Sequence, residues 1–310
     1  MCPVPNRWTV EGRCPYNPPM TATAFTKMHG LGNDFVVIDK RQHQFALTSD
    51  GARRLADRHT GIGCDQVIEI EQPGEPAEAD IFMRIWNADG SEVDACGNAT
   101  RCVASLLMAE GARETLTIAT GAGLLTAEAR ADGRVAVDMG APRLDWRDIP
   151  LSQAGSQAGS QAGSQAADTL HLDLTEGPLS DPVAVSMGNP HCVFFVEDAE
   201  AVDIERHGPV LEHHALFPER ANIGIAQVID RSAIRLRVWE RGAGLTLACG
   251  TGACAAAIAA SRRGLTGRVV EMRLDGGILN IEWRDDDHVI MTGPAAISYT
   301  GIFDDSLVEG

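Results

Sequence analysis

The chain has 310 residues, enough for two domains of ordinary size, each with its own core. Its 26 Lys and Arg residues face 43 Asp and Glu residues, a net charge of −17 that argues against broad contact with nucleic acid or an anionic membrane surface. A small anionic ligand held by one local arginine stays compatible with that balance, and no run of about 18 apolar residues is present to span a bilayer.

Residues 1–20 carry Pro3, Pro5, Pro15, Pro18 and Pro19 and no apolar stretch of the kind a secretory signal needs. They read as a flexible tail, and the eight cysteines are expected to be reduced thiols in the cytoplasm. Phe25 to Asp39 reads as two short strands around a Gly30/Gly32 turn. Ser49 is expected to cap a helix through Arg58, with Gly61 and Gly63 ending it. Ile81–Trp86 is a strand and Asn87–Ser91 a turn. A helix is expected from Asn98 to Glu110, then strands Thr115–Ile118, Gly123–Arg130 and Val135–Met139. After a Ser-Gln-Ala-Gly repeat over 152–165, expected to be a flexible surface excursion, the same grammar returns. Val183–Ser186 and Cys192–Val196 flank Gly188-Asn189-Pro190-His191. A short helix capped by Asp203 precedes strands Asn222–Ile229 and Ala233–Glu240. A second alanine-rich helix spans Thr251–Arg263, and strands Arg268–Leu274, Ile278–Trp283, Val289–Thr292 and Ala296–Ile302 follow. Many short strands around one helix in each half point to an internal duplication.

Two cysteines occupy near-identical settings, Ala95-Cys96-Gly97-Asn98 and Ala248-Cys249-Gly250-Thr251. Each opens a helix, where the positive end of the macrodipole favours a thiolate and free backbone N–H groups suit a carboxylate. Several readings of these cysteines stay open at the level of residues. Small buried packing residues are the common fate of free cysteine, a description that suits Cys102 and Cys254 within their helices. A zinc site pairing Cys96 with Cys102 and Cys249 with Cys254 has poor ligand spacing in the first pair. Redox chemistry favours Cys-x-x-Cys, which is absent. Acid–base catalysis by two thiols, one from each half, is the remaining reading.

His29-Gly30-Leu31-Gly32-Asn33-Asp34-Phe35, Gly63-Cys64-Asp65-Gln66, Asn87-Ala88-Asp89-Gly90-Ser91-Glu92, Ala95-Cys96-Gly97-Asn98, Gly188-Asn189-Pro190-His191 and Glu240-Arg241-Gly242 through Gly252 together resemble the diaminopimelate epimerase family. The motifs stand in that family's order between Ala24 and Phe303, and Ala99 stands where the family more often has glycine. The resemblance implies a cofactor-independent, metal-free epimerase acting on LL- and meso-2,6-diaminopimelate, with Cys96 and Cys249 as the acid–base pair. It implies an α-carboxylate between the N–H groups of Gly97, Asn98, Gly250 and Thr251, and tuning of the thiols by His191 and Glu240. Asn33, Gln66, Asn87, Asn189, Asn222, Glu240 and Arg241 match its substrate contacts, while Cys64 and Cys192 are left as packing residues. The implied fold is α+β, two pseudo-symmetric domains, each a curled, barrel-like antiparallel sheet around a central helix. Residues 21–140 with 296–306 are expected to form one domain and 141–295 the other. The resemblance also implies a homodimer, with Tyr299 near the contact. A proline or hydroxyproline racemase and a non-catalytic amino-acid-binding protein are the rival readings; the asparagines and Arg241 favour a longer substrate with a second polar end.

Overall fold

The computed structural model describes residues 22–42, 46–74, 78–152 and 169–309. The expected tail over 1–20 and all of the repeat beyond Ser152 lie outside the described residues.

One element order is used twice. The first half runs β1 (Ala22–Gly30), β2 (Asn33–Asp39), α1 (Ser49–Ala56), β3 (Gln66–Glu71), β4 (Ile81–Asn87), β5 (Glu92–Val93), α2 (Gly97–Gly111), β6 (Thr115–Thr120), β7 (Gly123–Ala129) and β8 (Val135–Asp138). A small hairpin, β9 (Thr175–Glu176) and β10 (Leu179–Ser180), precedes the second half. There β11 (Val183–Ser186), β12 (Pro190–Phe195), α3 (Ile204–Glu212), β13 (Asn222–Asp230), β14 (Ala233–Glu240) and β15 (Gly244–Thr246) lead to α4 (Gly250–Arg262). It ends in β16 (Val269–Leu274), β17 (Gly277–Trp283) and β18 (Val289–Gly293). A last strand, β19 (Ala296–Asp304), returns to pair with β1 of the first half.

The pairings repeat as well. β1–β2 and β11–β12 are antiparallel, β2–β3 and β12–β13 parallel, β3–β4 and β13–β14 antiparallel, and β4–β6 and β14–β16 parallel. The sheet is therefore mixed where antiparallel pairing was expected throughout. The reason is topological: each parallel pair is joined by a crossover that holds a helix, α1, α3, α2 or α4, and such a crossover returns the chain in the same direction. β8 and β18 pair with each other, Val137 opposite Met291, so the two halves share one 17-stranded sheet.

Composition explains where the helices lie. In α4 the sequence Gly-Thr-Gly-Ala-Cys-Ala-Ala-Ala-Ile-Ala-Ala is buried on nearly every side, which suits a helix enclosed by a curled sheet. Its small side chains let β-strand residues such as Ile234, Leu236, Met272 and Ile281 approach from around it. α2 is enclosed in the same way by Met28, Ile68, Ile85, Ile118 and Val137. α1 and α3 instead cover the outer face of each half, with separate apolar clusters around Leu55 and Leu211.

Some local details differ from the sequence reading. Thr48, not Ser49, caps α1, its Oγ1 accepting from Gly51 N at 3.1 Å, and the helix ends at Ala56. α2 runs through Gly111 and is stopped by Ala112 in the left-handed region at φ 48°. Asp203 does cap α3, accepting from Arg206 N at 3.2 Å. β3 was not expected, and neither were the short strands β5 and β15.

Candidate active site

The duplicated framework brings the same positions of each half to one edge of the sheet. In the first half Asn33 opens β2, Gln66 opens β3, Asn87 closes β4 and Cys96 caps α2. In the second half Asn189 and His191 flank the start of β12, Asn222 opens β13, Glu240 closes β14 and Cys249 caps α4. Register places Gln66 opposite Asn87 and His191 opposite Asn222.

Within the first half the amides form an ordered set. Asn33 Nδ2 donates to Asp65 Oδ2 at 3.0 Å, which turns its Oδ1 toward the Cys96 thiol at 3.9 Å and Asn98 Nδ2 at 3.2 Å. Asp65 is itself held by Arg58 at 2.9 Å, and Arg58 also grips Asp34. Gln66 Nε2 donates to Asn87 Oδ1 at 3.0 Å, while Gln66 Oε1 is buried with no protein partner. Across the sheet, Asn98 Nδ2 also donates to the Ala248 carbonyl at 3.0 Å, so a side chain from the first turn of α2 touches the residue before Cys249. Met291 lies under both helix starts. A Cβ on Gly97 would come within 2.7 Å of Met291 Cε, and one on Gly250 within 3.0 Å of its Sδ.

In the second half Cys249 Sγ lies 3.6 Å from Thr251 Oγ1, and Asn189 Nδ2 donates to the same hydroxyl at 3.4 Å. His191 Nε2 meets Asn189 Oδ1 at 2.9 Å; the imidazole touches that amide rather than a sulfur. Buried Asn222 donates to the Pro190 carbonyl at 3.0 Å and accepts from Arg241 N at 2.9 Å. The Arg241 side chain is exposed, held by Nη1 donating to the Glu219 carbonyl at 3.1 Å. Thr246 Oγ1 donates to Glu240 Oε1.

The electrostatics of the two thiols are not the simple helix-dipole picture. Burial pushes Cys96 up to about 11; the N–H groups of Ala99 and Asn98 favour its thiolate, and the charge of Glu240 opposes it. Cys249 is raised well above its ordinary value by burial, then by the charge and hydrogen bond of Glu240, against the Thr251 hydroxyl and Gly252 N–H. In this state desolvation outweighs the helix ends. Glu240 is raised by its own burial, with Thr246 and Cys249 favouring its carboxylate. Burial and then the nearby Arg241 charge lower His191 to about 3, so it is neutral near pH 7. Cys64, Cys102, Cys192 and Cys254 are buried free thiols, also raised by burial, as packing residues should be.

All the residues expected at the site from the sequence lie at this edge or on the two helix starts. The sequence reading missed Asp65, Thr246, Met291 and Arg101. Asp65 and Thr246 stood inside quoted motifs without a role. Arg101 and Met291 carry no local signal, since only tertiary structure brings them here.

Among solved structures, a hydroxyproline epimerase from Agrobacterium vitis has a TM-score of 0.61 and 16% identity, with 93% of this chain and 95% of that one covered. A PhzF-family phenazine biosynthesis protein from Bacillus anthracis also gives 0.61 and 16%, over 92% and 99% of the two chains. The chain therefore has the fold that these two proteins share. Finer likeness comes from sequence. The diaminopimelate epimerase family model matches residues 25–144 and 183–298. A diaminopimelate epimerase of Rhodospirillum centenum is 57% identical over 286 residues, 92% of this chain and 94% of that protein. One from Acidiphilium cryptum is 55% identical over 287 residues, 93% and 98% of the two chains. This chain belongs to the diaminopimelate epimerase family.

Proposed function

We propose that this protein interconverts LL- and meso-2,6-diaminopimelate, in the synthesis of lysine and peptidoglycan precursors, by two-base proton transfer between Cys96 and Cys249. The observation that carries this reading is the pairing of the two thiols as caps of equivalent helices, with Asn98 in the first turn of α2 bonded to the residue before Cys249. One sulfur, as thiolate, takes the α-hydrogen as a proton; the other, as thiol, gives its proton to the opposite face, and the two exchange protonation states with each turnover. Burial holds both sulfurs protonated, and the ammonium group of an entering amino acid opposes that, because a nearby positive charge favours thiolate. The N–H groups of Gly97, Asn98, Gly250 and Thr251 suit the α-carboxylate and the charge that grows on it as the α-carbon loses its proton. Glu240, hydrogen-bonded to Cys249, takes that thiol's proton when Cys249 acts as the base and returns it afterwards, and His191 acts through the Asn189 amide. Asn33, Gln66, Asn87, Asn189, Asn222 and Arg241 suit the distal amino and carboxylate groups, which need fixed donors and acceptors. A cyclic imino acid such as proline has no second polar end to use Arg241. We assign no cofactor or metal to the reaction.

The cleft would lie between a domain of residues 21–140 with 296–306 and one of 141–295. The exposed Ile297, Tyr299 and Ile302 on β19 support a homodimer that involves this strand. The free thiols suit the cytoplasm. No helix among the described residues is long and apolar enough to cross a membrane. The test is α-hydrogen exchange on LL-diaminopimelate in deuterated water without added cofactor. Wild type should exchange, and Cys96→Ala and Cys249→Ala should each lose about 10²-fold or more of epimerisation while keeping the fold. Turnover near wild type in either variant would refute the two-thiol assignment.

A further inference from the structure

Arg101 lies in α2 with none of its surface exposed, yet it has no carboxylate partner among the described residues. Each of its three guanidinium nitrogens donates to a neutral acceptor. Nη2 donates to Asn98 Oδ1 at 2.9 Å, Nη1 to Met291 Sδ at 3.3 Å and Nε to the Pro294 carbonyl at 3.4 Å. A buried cation without a counter-ion is unfavourable, and a neutral side chain could fill the same space at less cost. The groups around it explain why a cation is kept. The titratable groups whose charge reaches Arg101 are Cys96 and Cys102 from its own helix end and helix, and Cys254 from α4. From β18 and the residue after it the neighbours are Met291, Gly293 and Pro294, and from β1 Gly30, none of which titrates.

Arg101 also orients the amides in front of it. By donating to Asn98 Oδ1 it leaves Asn98 Nδ2 to point outward. That group then reaches both Asn33 Oδ1, beside Cys96, and the Ala248 carbonyl, beside Cys249. Without the guanidinium, the Asn98 amide loses the donor that decides which way it faces. The chain continues through Asn33 Nδ2 to Asp65 and Arg58, so every amide between Arg101 and Arg58 has one direction only.

We propose that Arg101 is a positioning residue of this site, which sets both cysteine-bearing helix starts through Asn98 and supplies the standing positive charge required by an anion formed between them. This rests on the two-thiol reading above. An anion arises twice in that reaction, as the thiolate that begins it and as the carbanion-like substrate, and both form beside helix ends that already carry positive character. Arg101 adds a full charge behind them that water cannot screen, because the side chain is buried.

The test compares wild type with Arg101→Met, Arg101→Gln and Arg101→Lys. Each is checked for fold by circular dichroism, then for kcat and KM with LL-diaminopimelate. The pH profile of iodoacetamide alkylation is followed separately at Cys96 and Cys249 by peptide mapping. Met and Gln should lower kcat by about 10²-fold, the loss typical of removing one preorganised electrostatic group. They should slow alkylation of Cys96 near pH 8 by roughly tenfold, the change in thiolate fraction for a one-unit shift. Lys should restore the alkylation profile to near wild type while kcat stays low, because an ammonium keeps the charge but not the three-way fork. If Met does not fold, the Lys and Gln pair still separates charge from packing. Alkylation in the Gln variant identical to wild type, or Lys no better than Gln, would overturn the proposal. Failure of wild type to exchange the α-hydrogen would instead count against the two-thiol reading, with the alkylation profile still reporting on Arg101.

Discussion

Glu240→Gln separates thiol reactivity from turnover. The carboxylate sits half-buried at the end of β14, accepts from Thr246 Oγ1, contacts Cys249, and disfavours the thiolate form of both Cys249 and Cys96. Glutamine keeps the size and an oxygen for Thr246 but removes the charge. With the negative charge gone, each thiolate faces less repulsion, so both thiols ionise at lower pH. A half-exposed charge in contact is worth about 1 kcal/mol, between the surface and buried limits, which corresponds to roughly a fivefold rise in thiolate fraction. Cys249, which is hydrogen-bonded to the carboxylate, should respond more than Cys96, which feels only its charge. Epimerisation should move the other way and fall by about 10²-fold, because an amide cannot take or return the Cys249 proton. The assay is alkylation rate at each cysteine near pH 8 by peptide mapping, beside steady-state kinetics. Slower or unchanged alkylation of Cys249, or turnover within about threefold of wild type, would refute this account of Glu240.

Asn222→Ala leaves the buried Pro190 carbonyl without its donor, a loss of about 1–3 kcal/mol, read as a Tm lower by roughly 3–8 °C; a Tm unchanged within 1 °C or so would show that water replaces the amide. Arg241→Ala should raise KM for diaminopimelate by about tenfold with little change in kcat, a modest effect because the guanidinium is exposed; equal losses in kcat and KM would assign it to the reacting end instead. His191→Gln tests linkage. The folded-state value, lowered to about 3 from 6.5, means that its contribution to stability is complete above 6.5 and is lost as pH falls toward 3. Wild type should therefore lose roughly 2 kcal/mol more than the variant between about pH 7 and 5; parallel melting curves across that range would show that His191 accepts a proton in the folded state.

Much of this was legible in the sequence because the chemistry sits at element boundaries. Cys96 and Cys249 could be placed because the residues after them, Gly-Asn-Ala and Gly-Thr-Gly-Ala, begin unmistakable alanine-rich helices. Other features were hidden for physical reasons. β3 reads Gln-Val-Ile-Glu-Ile-Glu, whose two glutamates leave no continuous apolar run to mark a buried strand, yet all four central residues are buried, Glu69 included, because Lys40 and Trp86 hold its carboxylate. The parallel pairings could not be read from turn residues, since they are fixed by crossovers tens of residues long. Helix ends favour thiolates, yet both thiols are raised, because burial by side chains distant in sequence outweighs the dipole.

The duplicated framework has a consequence for a reaction that inverts one carbon. In the proposed reaction, two equivalent helix starts joined by the Asn98–Ala248 contact would place like groups on opposite sides of the carbon between them, so the same residue type could serve as base from either face and as acid from the other. Reversal of the reaction then needs no rearrangement of the protein, only exchange of a proton between equivalent sites. A substrate carbon with four different groups cannot share that symmetry, and the protein breaks it at the same framework position in each half. β4 closes on neutral Asn87, followed by Ala88, whereas β14 closes on Glu240, followed by Arg241. On that reading, the charged residues that would distinguish one end of a diamino dicarboxylate from the other stand on the Cys249 side. The Cys96 side instead carries amides oriented from behind by Asp65 and Arg58. On the proposed two-thiol reading, symmetry would supply the two-faced proton transfer, and these substitutions upon it would supply the choice of which substrate carbon reaches the thiols.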